Sequence, residues 1–389
     1  MTTICYCSAT ATELPILSQA AASLAGDDQR LQVVARSAAQ LSDPVRVAAF
    51  VETAMAADAV VITLHGGTMS CPAWESLVAA LDRRRSDGVP TPFVLVHPEG
   101  GDEETVLAAR RISDGVDDDR WAALCRLLAS GGTVNVATVL QTVAAWGAGD
   151  RRDVPAPTAV LRQGIHHPRH GDFADLEDYA RHLEPDRPTV GLLFPQVYWL
   201  NQNLEHLHAL VLAIEERGAN VLPVFGYRFR DEQLGNLGAD ELVEAFFTRD
   251  GRACVDVLVN VMSMSMTIVD PRYSRVLPDL DVPVLQAMTS IASYEQWAGG
   301  PRGLSTLDVA TQAAQPEFDG NLITLPVATR ELDTVDPVTG ALLARLVPIP
   351  DRVTRLADLA LHWAALRRTP NADKRVAVVF HHHPPRNDR

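Results

Sequence analysis

RPTVGLLFPQVYWLNQNLEHLHALVLAIEERGANVLPVFGY, residues 187–227, reads as one complete strand–helix–strand unit. TVGLLF at 189–194 is an unbroken apolar run, too short for a helix and typical of a strand buried on both faces. Residues 203–217 then place apolar side chains three and four apart, the helical period, and Gly218 supplies the stop. NVLPVF at 220–225 is a second buried strand. Consecutive strands joined by a helix run parallel, and the helices of such units cover both faces of one sheet.

The same alternation extends in both directions. Downstream, VDVLVNV at 255–261 and VPVLQ at 282–286 are further strands. Upstream, residues 3–8, 31–35, 59–64 (AVVITL) and 92–96 (PFVLV) read as strands, with Ala-rich helical stretches at 45–57 and 74–85. Residues 121–146 look helical with a break at Ser130-Gly131-Gly132, and the charged, proline-rich RRDVPAP at 151–157 marks a connection. Residues 320–329 and 342–349 flank a Pro337-Val338-Thr339-Gly340 turn and read as a β-hairpin, followed by a helix at 352–368. VAVVF at 376–380 is expected to be a last buried strand. The expected fold is therefore α/β, with two doubly wound parallel-sheet units: an N-terminal domain at 1–150 and a second at 158–300. Residues 301–389 would supply a hairpin, a helix and a C-terminal strand leading toward a further, absent region.

With 389 residues, 47% hydrophobic and 21% charged, the chain is long enough for more than one core. Its net charge of -15 argues against nucleic acid as a partner and gives no attraction to anionic membrane. Lys374 is the only lysine, so carboxylate recognition falls to arginine, whose planar fork grips a carboxylate at two points. The five cysteines (Cys5, Cys7, Cys71, Cys125 and Cys254) are odd in number and scattered. Cys5-x-Cys7 lacks a second pair for zinc, so all five read as reduced thiols. No leader-like segment precedes residue 20 and no apolar run is long enough to span a bilayer, so a cytoplasmic protein without membrane insertion is expected. The chain has no P-loop, no GxGxxG after its first strand and no GxSxG, and thus lacks the signatures of ATP, NAD and serine-hydrolase chemistry.

Ligands of parallel sheets sit beyond the carboxyl ends of the strands. Those positions hold His65-Gly66-Gly67, His97-Pro98-Glu99-Gly100-Gly101, the group Tyr198, Trp199, Asn201 and Asn203, the alternation Met262/Met264/Met266, and His381-His382-His383. Two units with such loops could clamp a large flat ligand between them. Imidazole serves both as ligand for borderline cations and as a base at neutral pH. If the final strand continues, His381 and His383 share one side and could share one metal ion. His166, His167 and His170 form a second cluster, read either as capping residues of a polar loop or as metal ligands. His206 and His208 read as partly exposed on a helix. The three methionines read as one apolar face, either packing or a floor for a macrocycle.

The order of motifs is distinctive. GIHHPRHGDFADLEDY, RPTVGLLFPQVYW, VPVLQAMTS, RGLSTLDVATQAAQPEFDG and the closing VAVVFHHHPPRNDR together resemble the large subunit of aerobic cobaltochelatase, CobN type, and its magnesium-chelatase relatives. The likeness is most specific from about residue 160 onward and covers the N-terminal third of a typical member. It implies insertion of cobalt(II), the substrate metal, into a corrin precursor, hydrogenobyrinic acid a,c-diamide. ATP would be used by separate AAA+ subunits and not bound here. The remaining large-subunit region would be needed for turnover. Under the resemblance, His381, His382, His383 and Asp388 are expected as proton-transfer groups and His381 and His383 as metal ligands. Arg386, Arg389, Tyr198, Asn201, Asn203 and His65 are expected to contact the tetrapyrrole.

Overall fold

A computed structural model describes residues 2–25, 31–113, 115–301 and 303–379. The first unit holds four strands: β1 (Thr2–Ser8), β2 (Leu31–Ser37), β3 (Ala59–His65) and β4 (Phe93–Glu99), all parallel, in the order β2-β1-β3-β4. Alternation along each strand feeds two cores. Ile4 and Tyr6 join one face with Val61 and Leu95, while Cys5 and Cys7 join the other with Val60, Ile62 and Leu64. Helices Leu14–Ala25 and Thr133–Gly147 cover the first face, and Pro44–Ala56 and Trp74–Ser86 the second. The predicted break in the 121–146 helix is present: Asp118–Ser130 and Thr133–Gly147 are separate helices, joined through Gly131 and Gly132 at φ 65° and 83°.

The second unit is an eight-stranded sheet. Its strands are β5 (Gly164–His167), β6 (Gly171–Phe173), β7 (Thr189–Pro195), β8 (Asn220–Gly226), β11 (Val257–Asn260), β12 (Val284–Ser290), β13 (Leu322–Val335) and β14 (Leu342–Pro348); β9 (Thr248–Arg249) and β10 (Arg252–Ala253) form a separate short ribbon. The spatial order is β14-β13-β12-β11-β7-β8-β5-β6. Its centre, β8-β7-β11-β12-β13, is wholly parallel and doubly wound, and antiparallel strands close both edges. Val190, Leu192 and Phe194 pack beneath helices Glu205–Glu215 and Pro350–Arg368, while Leu193, Leu222 and Leu258 pack on the opposite face.

The hairpin at 322–348 belongs to this second sheet, since β13 pairs parallel to β12. Its turn also grips the first unit: Ala35 N donates to Thr339 O at 2.9 Å and Leu342 N to Gln40 Oε1 at 2.9 Å. Thr339 thus occupies the edge of β2. The expected final strand is not formed over residues 374–379. Val376, Val378 and Val379 are 84%, 69% and 90% exposed, because no described strand lies alongside to pair with them. No helix among the described residues is long and apolar enough to cross a membrane.

Candidate functional site

The chain reverses its winding between β1 and β3 in the first sheet and between β7 and β11 in the second. At such switch points the loops part and leave a crevice. Here the two crevices meet. Two adjoining hollows of about 110 and 180 Å³ share Thr12, Val197 and Asn201. Tyr6, Glu13, Thr63, His97 and Glu99 line the first-unit side, and Tyr198, Asn203, Thr289, Ser290 and Arg330 the second. Gly131 makes the contact possible: a Cβ there would lie 2.5 Å from Leu200 Cδ2. Backbone conformation is unusual at this edge, for Ala11, Gln202 and Met264, in the loops after β1, β7 and β11, all have positive φ. Non-glycine residues hold that conformation only where their surroundings impose it.

The first-unit wall is acidic and imidazole-bearing. Glu13 accepts a hydrogen bond from Thr63 Oγ1. Glu99 lies 3.8 Å from His65 Nδ1; local packing and the Glu13 charge raise the pKa of the Glu99 carboxyl, and His65 opposes that rise. Burial lowers His97 to about 4, so its ring stays neutral. Its Nδ1 is buried and has no hydrogen-bond partner among the described residues. The second-unit wall is cationic. Arg330 Nη2 donates to Thr10 O at 2.7 Å across the unit boundary, and Arg228 Nη1 donates to Met264 O at 3.3 Å. Burial raises the Tyr198 hydroxyl, while its Thr289 hydrogen bond and the charges of Arg228 and Arg330 act in the other direction.

Of the residues expected from sequence, Tyr198, Asn201 and Asn203 come together at this cleft. Their roles differ. Asn203 is consumed by the hairpin, its Nδ2 donating to Ala344 O at 3.1 Å and its Oδ1 accepting from Leu346 N at 2.8 Å. Asn201 Oδ1 is buried with no partner among the described residues, leaving an acceptor beside the hollow. His65 is exposed at the end of β3. His381, His382, His383, Arg386, Asp388 and Arg389 lie outside the described residues. Glu13, Thr63, His97, Glu99 and Arg330 complete the cleft and were not singled out from sequence as site residues. The HPEGG stretch after β4 was the one available signal for His97 and Glu99. Arg330 sits inside a strand, where no loop signal exists.

The other expected clusters rearrange. His166 and His167 lie in β5 rather than in a loop. Ligand atoms of His167, His170 and Glu215 lie within 4.8 Å of one another, the spacing of a metal site. Two of the three are nevertheless engaged: His167 Nδ1 accepts from Arg169 N at 3.1 Å, so Nε2 carries the proton and donates to Glu215 Oε1 at 3.0 Å, while the His170 ring stacks on His167 and His182. Arg169 Nη1 neutralises the other Glu215 oxygen at 3.1 Å. A guanidinium in that position opposes a cation, and we read the His167–Glu215 pair as a clamp between β5 and the helix Glu205–Glu215. His206, expected to be partly exposed, is 0% exposed and held neutral, near a pKa of about 3, by burial and the neighbouring His208. The methionine face does not form either. Met262 and Met266 are buried, but the positive φ of Met264 turns it outward to 44% exposure.

Residues 125–389 match the model of a family described as CobN/magnesium chelatase. The chain is 30% identical over 402 residues to the aerobic cobaltochelatase subunit CobN of Sinorhizobium sp., covering 99% of this chain and 29% of that one. It is 28% identical over 291 residues to a magnesium-chelatase subunit of Cereibacter sphaeroides, covering 70% of this chain and 22% of that one. Its fold is similar to the catalytic subunit of cobaltochelatase from Mycobacterium tuberculosis, with a TM-score of 0.60 at 24% identity over 96% of this chain and 28% of that one. The chain spans less than a third of the length of these relatives.

Proposed function

The chain belongs to the CobN/magnesium chelatase family, and from that membership we propose that it is the part of a chelatase large subunit that holds the edge of a corrin precursor. The precursor would be hydrogenobyrinic acid a,c-diamide, and the reaction a cytoplasmic, ATP-dependent insertion of cobalt(II). AAA+ subunits would hydrolyse the ATP, and the remaining large-subunit region would complete the site. The observation that carries this reading is the cleft: the Arg330 guanidinium and Asn201, whose Oδ1 is buried with no partner among the described residues, line one hollow, and Asn201 and His97, whose Nδ1 is likewise buried without one, line the adjoining hollow. An amide arm of a ring substituent would accept from Arg330 and donate to Asn201 Oδ1, an acceptor that a carboxylate could not satisfy. Buried polar groups left without partners cost about 1–3 kcal/mol each, a cost that such an arm would offset.

Size limits the role. Pockets that enclose a small molecule measure about 300–1,000 Å³, and hollows of about 110 and 180 Å³ admit a substituent rather than a macrocycle. Ring, cation and proton removal therefore need other groups, and by residue type His381, His382, His383 and Asp388 have suitable chemistry, with Arg386 and Arg389 suited to further carboxylates. Alignment over 99% of the chain with the cobalt enzyme, against 70% with the magnesium enzyme, supports the corrin over a porphyrin. Titration of the chain with hydrogenobyrinic acid a,c-diamide, followed by the macrocycle's visible absorption, tests the reading. Saturable binding without cobalt insertion is expected; absence of binding overturns the assignment of the cleft, and insertion by this chain alone overturns the division of labour.

A further inference from the structure

A chain of three side chains next to the cleft has no part in that reading. In the β5–β6 pairing His166 stands opposite Asp172, and the helix Glu205–Glu215 brings His208 to the same place. Asp172 Oδ1 lies 2.6 Å from His166 Nδ1 and accepts from Trp199 Nε1 at 3.1 Å. His166 Nε2 lies 2.8 Å from His208 Nε2. The carboxylate makes Nδ1 the protonated nitrogen of His166, so its Nε2 presents a lone pair, and the two Nε2 atoms hold one proton between them.

We propose that His166 Nε2 and His208 Nε2 bind a borderline divalent cation of the zinc, cobalt(II) or nickel class, with Asp172 as the carboxylate that orients His166. A carboxylate–imidazole–cation sequence is the usual way a protein fixes the tautomer and direction of a ligating histidine. Imidazole nitrogens suit this class of ion, whereas magnesium and calcium prefer oxygen. With metal–nitrogen bonds of about 2.0–2.1 Å, two imidazoles on a tetrahedral ion stand about 3.3 Å apart, so the pair opens by about half an ångström. His208 moves its proton from Nε2 to Nδ1 through water; both rings stay neutral and no co-reactant is needed. Side-chain exposure of 16% at His166 and 42% at Asp172 leaves room for water to complete the coordination. Among the described residues, no guanidinium pairs with Asp172 as Arg169 pairs with Glu215. Trp199 steers Asp172 from the same short helix, Gln196–Leu200, that presents Tyr198 to the cleft.

The test uses the full chain with His381, His382 and His383 changed to alanine, so that the terminal histidines add no cation of their own. Cobalt(II) chloride alone is titrated by calorimetry and by d–d absorption, with no macrocycle present, so the result is separate from the fate of the corrin reading. One equivalent is expected to bind. His166→Ala or His208→Ala should lower the affinity at least about tenfold, Asp172→Asn about 10–100-fold, and His170→Ala should leave it unchanged. Should the variants fail to fold, zinc added to the unsubstituted rings must shift the ¹⁵N resonances of His166 and His208. No binding up to about 1 mM free cation, corresponding to a free energy weaker than about -4 kcal/mol, overturns the proposal. So does binding that survives loss of both histidines, or a shift confined to other rings.

Discussion

Gly131 is where the two units press together, and its replacement has a calculable effect. Its backbone, φ 65° and ψ -170°, lies in a region that only glycine occupies readily, so Gly131→Ala costs about 1–3 kcal/mol in conformation alone. The new Cβ would also stand 2.5 Å from Leu200 Cδ2, and overpacking of this kind adds about 1–3 kcal/mol. Leu200→Ala by itself loses packing at a half-buried site, at the low end of the usual range of about 2–5 kcal/mol. In the double variant the steric part vanishes because the leucine is gone, while the conformational part remains. A double-mutant cycle by chemical denaturation should therefore give a favourable coupling of about 1–3 kcal/mol between the two substitutions. Additivity to within about 0.5 kcal/mol would refute the close approach, and with it the packing that shapes the smaller hollow.

Three further outcomes follow from the same geometry. Arg330→Gln should weaken binding of the corrin precursor about 10–100-fold, the worth of a charge-assisted hydrogen bond, whereas Arg345→Gln, outside the cleft, should not; absorption titration compares them. Burial depresses His97 to about 4 and His206 to about 3, while both bind protons below about 6.5 in the unfolded chain. The unfolded state thus holds more protons as pH falls from about 6.5 toward 4, and folding stability drops by up to about 1.4 kcal/mol per pH unit for each group. Denaturation midpoints across that window should lose part of their slope in His206→Phe. Asp319, 3% exposed, accepts from Ser265 Oγ at 2.7 Å, Met266 N at 2.8 Å and Thr267 N at 3.0 Å. Asp319→Ala strands two backbone donors and should cost about 2–4 kcal/mol in equilibrium unfolding, with Asp319→Asn between the two.

Much of the fold was legible because parallel strands buried on both faces carry an unmistakable signal. AVVITL and TVGLLF have no polar side to obscure it, and Gly131-Gly132 announced the helix break. What escaped was tertiary in origin. Leu322–Val335 runs further than expected because the strand leaves β12 and continues against β14 alone, where half its residues face solvent. Residues 376–379 have the composition of a strand, but a strand exists only with a neighbour to pair with. His206 follows the helical period onto the buried face, a position that a reading of histidine as polar assigns to the surface. The cleft was half visible: loop positions after strands can be read off, but which loop faces which depends on how two sheets are set against each other. Glu13 and Arg330 are 317 positions apart by number (330 minus 13), and no local pattern links them.

The same two-sheet arrangement would reconcile a strongly acidic chain with the polycarboxylate proposed as its ligand. A net charge of -15 would repel a polycarboxylate if it acted as a whole. At physiological ionic strength, however, charges separated by more than about 8 Å of solvent scarcely feel one another. The sign that matters is that of the groups within one such length. On the second-unit wall this is Arg330, and Arg228 acts by its charge on Tyr198; both are partly withdrawn from water and so screened least. Glu13 and Glu99 stand on the opposite wall, lining the smaller hollow, which Arg330 does not line. A cleft polarised in this way selects orientation: a carboxylate arm entering from the acidic side meets like charge, and one entering toward Arg330 meets its counter-ion. For the ring proposed above, the acidic wall would set which edge faces the second sheet, a role that a uniformly basic pocket could not provide.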